Sequence, residues 1–166
     1  MKPLITTERL YLREFTIDDV QLIFELNSDP LVTKYTEKGP DKTLEDARKR
    51  LQNEILPQYT HGVGRWAVFL KSNDEFIGWC GVKYIEKEKV YTLGYRFLPK
   101  HWGKGYATEA GKASLEYATN KMSIKEIFAK AMSVNAASIH VIKKLGMVYL
   151  KDEICAEHSA EVYVLK

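Results

Sequence analysis

Long apolar runs are missing from this chain. The longest, Trp66 to Leu70, falls far short of the about 20 residues that a membrane-spanning helix needs, so no membrane partner is expected. Met1 to Arg9 has charge early and no apolar stretch of the kind a secretory signal carries, which makes the cytoplasm the expected location. Cysteine is scarce: Cys80 and Cys155 make no disulfide framework. Cys155 and His158 have the spacing of two metal ligands, but His61, His101 and His140 lie scattered, and no metal site is expected. A strong charge bias is also absent. The net charge of +3 is too small for a nucleic-acid binder. Linkers, internal repeats and low-complexity segments are lacking as well.

What the chain has is material for a core. Its 166 residues are 45% apolar and 28% charged, which suits one globular domain, 1–166, rather than a disordered chain. Arg9 to Glu14 reads as a strand, with Leu10 and Leu12 on one face. Thr16, with Asp19 three residues on, reads as a helix start, followed by a helix to about Asn27. Thr43 caps a second helix with the stripe Leu44, Ala47, Leu51 and Ile55, ending near Pro57. Arg65–Lys71, Phe76–Tyr84 and Val90–Phe97 then form a meander of three strands with short turns. In the last of these, Tyr91, Leu93, Tyr95 and Phe97 alternate with Val90, Thr92, Gly94 and Arg96.

After Phe97 the period changes. Ala107, Ala110, Gly111, Ser114, Leu115 and Ala118 lie on one face of a helix, and small residues let that helix lie close on a sheet. Ile127–Val134 is a strand. A short helix with Ser138, Val141, Ile142 and Leu145 ends at Gly146 as its C′ residue. Val148–Ile154 and Glu161–Leu165 are the final strands. The order implies an α+β (or α/β) domain around one mixed, mostly antiparallel sheet of about seven strands, with helices on both faces.

The segment that carries chemistry is Leu98-Pro99-Lys100-His101-Trp102-Gly103-Lys104-Gly105-Tyr106-Ala107-Thr108. A strand ends, a loop with two glycines follows, and a helix opens at about Gly105. Gly103 and Gly105 can adopt backbone conformations closed to other residues. The helix start adds free N–H groups and partial positive charge, and Lys100 and Lys104 add mobile charge. The product is an anion cradle suited to a pyrophosphate. It lacks the spelling of the dinucleotide fingerprint and of the nucleoside-triphosphate loop.

These residues resemble the acetyl-CoA pyrophosphate loop of the GNAT superfamily of N-acetyltransferases, Gln/Arg-x-x-Gly-x-Gly/Ala. Downstream, Asn135-Ala136-Ala137-Ser138 and Lys144-Leu145-Gly146-Met147 resemble the branch that holds the ribosomal-protein N-terminal acetyltransferases (RimJ/RimL type), as does the opening Thr7-Glu8-Arg9-Leu10 with Leu12-Arg13. The resemblance implies acetyl-CoA as co-substrate and a primary amine as acceptor. A protein N-terminal α-amine is the first expectation, a small-molecule or antibiotic amine the second. A non-catalytic acyl-CoA-binding domain is the rival from another class.

The resemblance also implies roles for particular residues. The strand ending at Phe97 splays from the one at Ile127, and the pantetheine arm lies in the gap, bonded to backbone at Phe97 and Leu98. The pyrophosphate rests on N–H groups from about His101 to Thr108, which includes Trp102, Gly103, Lys104, Gly105, Tyr106 and Ala107. Asn135 bonds the pantetheine. The amine attacks the thioester directly. Three positions depart from the family pattern. Lys100 stands where Gln or Arg is usual, Ile142 where many members have a tyrosine acid, and Thr92 where many have a glutamate. Ser138 is then the candidate acid and Glu14 a weak candidate base. Tyr35, Trp66, Trp79, Tyr84 and Tyr95 are aromatic candidates for the acceptor cleft.

Overall fold

The computed structural model describes residues 2–36 and 38–166. Its strands are β1 (Ile5–Thr6), β2 (Leu10–Arg13), β3 (Trp66–Leu70), β4 (Phe76–Ile85), β5 (Val90–Phe97), β6 (Ile127–Met132), β7 (Val148–Cys155) and β8 (His158–Leu165). Its α-helices are α1 (Val20–Asn27), α2 (Pro30–Thr33), α3 (Leu44–Arg50), α4 (Tyr106–Glu116) and α5 (Ala136–Lys144). One sheet of eight strands runs β1-β2-β3-β4-β5-β6-β8-β7. Every neighbouring pair is antiparallel except β5 and β6. The eighth strand, beyond the expected seven, is β1, a two-residue strand on β2 that is too short to leave an alternating pattern in the sequence.

Local chemistry starts the helices where expected. Thr16 caps a 3₁₀ turn (Ile17–Asp19) in a reciprocal capping box with Asp19, and α1 continues from it. Thr43 does the same for α3 with Asp46. Pro57 does not end that second helical segment. The chain widens into a π turn (Leu51–Ile55) and then tightens into a 3₁₀ turn (Leu56–His61). Pro57 sits at the start of the 3₁₀ turn, where a missing N–H costs nothing.

The two faces of the sheet are covered by different helices. Leu10, Leu12, Trp66, Val68, Cys80 and Val82 pack with Ala110, Leu115 and Ala118 of the α4 segment and Ile139 and Ile142 of α5. Ala67, Phe69 and Phe76 pack with Ile23 and Leu26 of α1 and with Ala47, Leu51 and Ile55 on the other face. Strand period two separates the two sets. Each large apolar side chain so buried contributes roughly 1.5–3 kcal/mol. Leu44, counted in the apolar stripe of the second helix, is exposed instead. The small face of α4 permits close packing: a Cβ on Gly111 would meet Leu145 Cδ1 at 2.9 Å.

Candidate active site

The ladder between β5 and β6 is short. It pairs Tyr91 with Ile127, Thr92 with Phe128 and Leu93 with Ala129, and ends there. From Gly94 to Phe97 the strands have separated. The gap opens into a cleft of about 970 Å³ that crosses the sheet. On the α4–α5 face it is lined by Phe97, Gly103, Ala107, Asn135, Ser138 and Ile142. On the α1–α3 face it reaches Tyr35, Arg65, Trp79, Lys83 and Arg96.

The loop after β5 makes a 3₁₀ turn (Pro99–His101) and reaches α4 through two left-handed glycines, Gly103 at φ +72° and Gly105 at φ +82°. Gly105 is the N-cap of α4. His101 N–H donates to Leu98 O at 2.9 Å and Trp102 N–H to Pro99 O at 3.1 Å. The expected cradle therefore begins later than His101, because those two donors hold the turn. Among the described residues, the backbone N–H groups from Gly103 to Thr108 have no protein acceptor, and a Cβ on Gly103 would meet nothing within 4 Å. Six free donors at an open helix start fit a pyrophosphate.

Neighbouring groups hold this loop in place. Arg9 donates to Lys104 O at 2.9 Å and to Glu109, and its guanidinium lies 4.5 Å from the Tyr106 ring centroid. Lys104 thus contributes its carbonyl to the scaffold. Lys100 is exposed and pairs with Glu75 at 2.5 Å, so its ammonium is committed away from the cleft. His101 is buried and shares the same Glu75 carboxylate through Nε2 at 3.1 Å. Lys100 first, then His101, pulls the Glu75 carboxyl down to about 2. The Phe97 carbonyl accepts from Trp102 Nε1 at 2.7 Å, and Leu98 N–H is spent on Ile77 O. Leu98 is thereby excluded as a backbone donor to the gap, while the edge of β5 beyond Leu93 stays open.

At the far wall, Asn135 caps α5 by accepting from Ser138 N–H at 3.2 Å. Ser138 Oγ lies 2.9 Å from the Tyr95 hydroxyl. Burial pushes the Tyr95 phenol up to about 12, so it stays protonated and able to donate. Ile142 is buried in the core cluster against which Tyr95 packs. Of the five aromatic candidates, Tyr35, Trp79 and Tyr95 line the cleft. Trp66 does not: it is wholly buried against Tyr117 on the α4 face. Tyr84 does not either, and packs between His61 and Tyr91. Glu14 is exposed beyond the end of β2 and outside the cleft, which removes it as a base. Sequence reading missed Arg65, Lys83 and Arg96. Lys83 and Arg96 face Thr92 and Trp79 across the β4–β5 ladder, and Arg65 reaches the Gly81 carbonyl; these relations become visible only once the register is known.

Residues 9–148 match the family described as Acetyltransferase (GNAT) domain. The chain belongs to the GNAT acetyltransferases. It is 36% identical over 143 residues to an uncharacterized N-acetyltransferase, YnaD, of Bacillus subtilis, covering 86% of this chain and 81% of that one. A GNAT-family acetyltransferase structure from Bacillus anthracis is 29% identical, with a TM-score of 0.84 over 97% of this chain and 96% of that one. RimL, a ribosomal L7/L12 alpha-N-protein acetyltransferase solved in complex with coenzyme A, shares the fold at 18% identity, with a TM-score of 0.80 over 99% and 97% of the chains. The chain is an acetyl-CoA-dependent N-acetyltransferase, and its acceptor is an amine.

Two further features bear on chemistry. Cys80 is buried and its thiol is pushed up to about 12 by burial, so it supplies no thiolate. Cys155 and His158 are cross-strand partners at the β7–β8 turn. Among the described residues no group of three or more His, Cys, Asp or Glu side chains is arranged to hold a metal ion. No helix there is long and apolar enough to cross a membrane.

Proposed function

We propose that this chain moves the acetyl group directly from acetyl-CoA to a primary amine that enters from the α1–α3 face of the cleft. The observation that carries this reading is the continuity of the gap. It runs from the free N–H groups of Gly103–Thr108, past Ser138 and Tyr95, through the sheet to the opposite mouth. Acetyl-CoA supplies the activated acetyl group. Gly103–Thr108 hold the pyrophosphate, the open edge of β5 and Asn135 hold the pantetheine, and the Asn135 cap fixes the first turn of α5.

The nitrogen lone pair forms the new C–N bond as the C–S bond breaks. Ser138 Oγ donates a hydrogen bond to the departing sulfur and Tyr95, 2.9 Å away, orients it; both hydroxyls keep their protons, and CoA leaves as a thiolate that takes its proton from water. The nitrogen sheds its proton to water in the cleft, since Glu14 lies outside. A free thiol is already a fair leaving group, with pKa about 8.5, so this donor assists rather than decides.

A screen tests this reading. The protein is incubated with acetyl-CoA and a panel of short peptides with free α-amines, small amines and aminoglycosides, and thiol release is followed. The peptides are included because the RimJ/RimL resemblance points to a protein N-terminus. Acetylated product from at least one class is expected. CoA binding without turnover of any amine would overturn the reading in favour of an acyl-CoA-binding domain.

A further inference from the structure

The acceptor mouth carries positive charge that acetyl transfer by itself does not require. Trp79, Gly81 and Lys83 of β4 oppose Arg96, Gly94 and Thr92 of β5, so all six share one face of the sheet. Arg65 enters from the residue before β3 and lies flat across that face. Its Nη1 donates to the carbonyls of Gly81 and Thr92, and a Cβ on Gly94 would meet its Nη2 at 2.6 Å. Two glycines side by side make the channel that this side chain needs. The Trp79 ring has the Arg65 guanidinium at 5.0 Å and the Arg96 guanidinium at 5.5 Å. Lys83 sits four residues beyond Trp79 along β4, also on the cleft.

Among the described residues none of these three cations forms an ion pair. Asp41 and Glu54 act on Arg96, and Glu54 on Lys83, only at longer range, and both carboxylates are already paired with Arg50 or Lys38. Arg96 donates to Asn27 Oδ1 at 2.8 Å, and the Nδ2 of that buried asparagine has no partner of its own. Among the described residues the acidic ones lining the cleft are Glu88 and Glu153, and Glu153 is already held by Lys130 and Lys151. Burial, with Arg65 and Arg96 nearby, pulls the Lys83 ammonium down to about 8. Grouping like charges away from water is costly unless an opposite charge joins them. Guanidinium forks suit the two oxygens of a carboxylate or phosphate.

We infer that the acceptor is an amine bearing a carboxylate or phosphate a few bonds from the attacked nitrogen, and that Arg65, Lys83 and Arg96 hold that anion. This rests on the acetyl-transfer reading above. A polycation such as a polyamine would be repelled from the same mouth.

Paired acceptors test it. One arm compares an α-amino acid with its carboxamide, a second compares phosphoethanolamine with ethanolamine, and a third compares peptides with Asp or Asn at position two. In the first arm the amide has the less basic amine and so more free amine at a given pH, a bias against the inference. The anionic member of at least one pair is expected to show kcat/KM tenfold or more above its neutral partner, chiefly through KM. The arm with the largest ratio identifies the source of the anion. Lys83→Met, which keeps the bulk and breaks no recorded hydrogen bond, should narrow that ratio several-fold; Arg65→Met is less suitable because its bonds tie β4 to β5. Turnover of every pair within a factor of two, or a preference for the neutral members, would overturn the inference and leave acetyl transfer standing. Failure of every amine would overturn transfer itself, and the inference with it.

Discussion

The Tyr95 hydroxyl lies 2.9 Å from Ser138 Oγ and 3.3 Å from the Ser138 carbonyl. A β5 side chain thus reaches the first turn of α5 where the sheet has parted. The pair stands where the expected tyrosine is missing, since Ile142 cannot donate. Ser138→Ala should lower kcat roughly tenfold or more and change acetyl-CoA affinity little, because the bond to sulfur strengthens only as charge develops there. Tyr95→Phe should lower kcat in the same direction while costing about 1 kcal/mol of stability for its lost hydrogen bond. The double variant should be no slower than the slower single, as for groups acting in one chain. Single-turnover kinetics decide this. Unchanged chemistry in Ser138→Ala would leave the hydroxyl structural, and a pure loss of affinity would make it a binding group.

Coenzyme binding should depend on Gly105. CoA should raise the melting temperature of the parent, as any ligand specific to the folded state does. Gly105→Val places a β-branched side chain at φ +82°, with its Cβ 3.3 Å from Arg9 Nη2. The strain is about 1–3 kcal/mol, and the side chain intrudes on the donors before α4. The variant should fold, at a lower melting temperature, and lose the CoA-dependent rise. A full rise in the folded variant would refute the loop assignment.

Much of this was legible in the sequence, for reasons that can be located. Thr16 with Asp19, and Thr43, are local signals read by their own helix starts. Val90–Phe97 alternates because Leu93 and Phe97 turn into the core on the α4 face while Thr92, Gly94 and Arg96 turn to the opposite mouth of the cleft. The loop was legible because Gly103 and Gly105 both need positive φ. What failed was long-range. Trp66 and Trp79 look alike in sequence, yet one is wholly buried and the other lies in the acceptor mouth; strand parity and register separate them. Arg65 looked like the edge of an apolar run, and only its placement beside Gly81 and Gly94 gives it a role. Pro57 looked like a stop because the change from π to 3₁₀ turn has no sequence signature.

The acid side of the stability profile should contain Glu75. Its carboxylate joins Lys100 and His101, and its pKa falls to about 2, Lys100 first. A carboxyl lowered in the folded state stabilises it fully above the unfolded value of about 4.3 and loses that contribution as pH falls towards 2. Glu75→Gln should therefore melt below the parent at pH 6, with the difference closing between about pH 4.3 and pH 2. Because Glu75 and Lys100 are partly open to solvent, salt should shrink the effect. A difference that is constant with pH would assign it to packing instead.

The anion loop should also depend on a residue far away in sequence. Glu109, in the first turn of α4, accepts from Thr7 Oγ1 at 2.7 Å, from Arg9 N–H at 2.8 Å and from Arg9 Nε at 2.7 Å. The Arg9 Nη1 reaches on to Lys104 O, and the guanidinium stacks on Tyr106. The entry to β2 is thereby tied to both ends of the Lys104–Glu109 segment, whose N–H groups from Lys104 to Thr108 stay unspent. A carboxylate in the first helical turn is favourable with the helix dipole, but Arg9 is 42% exposed, so the pair adds at most about 1 kcal/mol to stability. Its larger consequence is preorganisation: a loop already fixed loses less entropy on binding. Arg9→Ala should thus weaken CoA binding several-fold, with kcat at saturating acetyl-CoA nearly unchanged and the melting temperature only slightly lower. Arg9→Lys, which keeps charge without the fork, should recover little. Titration calorimetry of the two variants against the parent gives the answer. Equal CoA affinity in Arg9→Ala would mean that the loop holds its shape through Gly103, Gly105 and the helix alone.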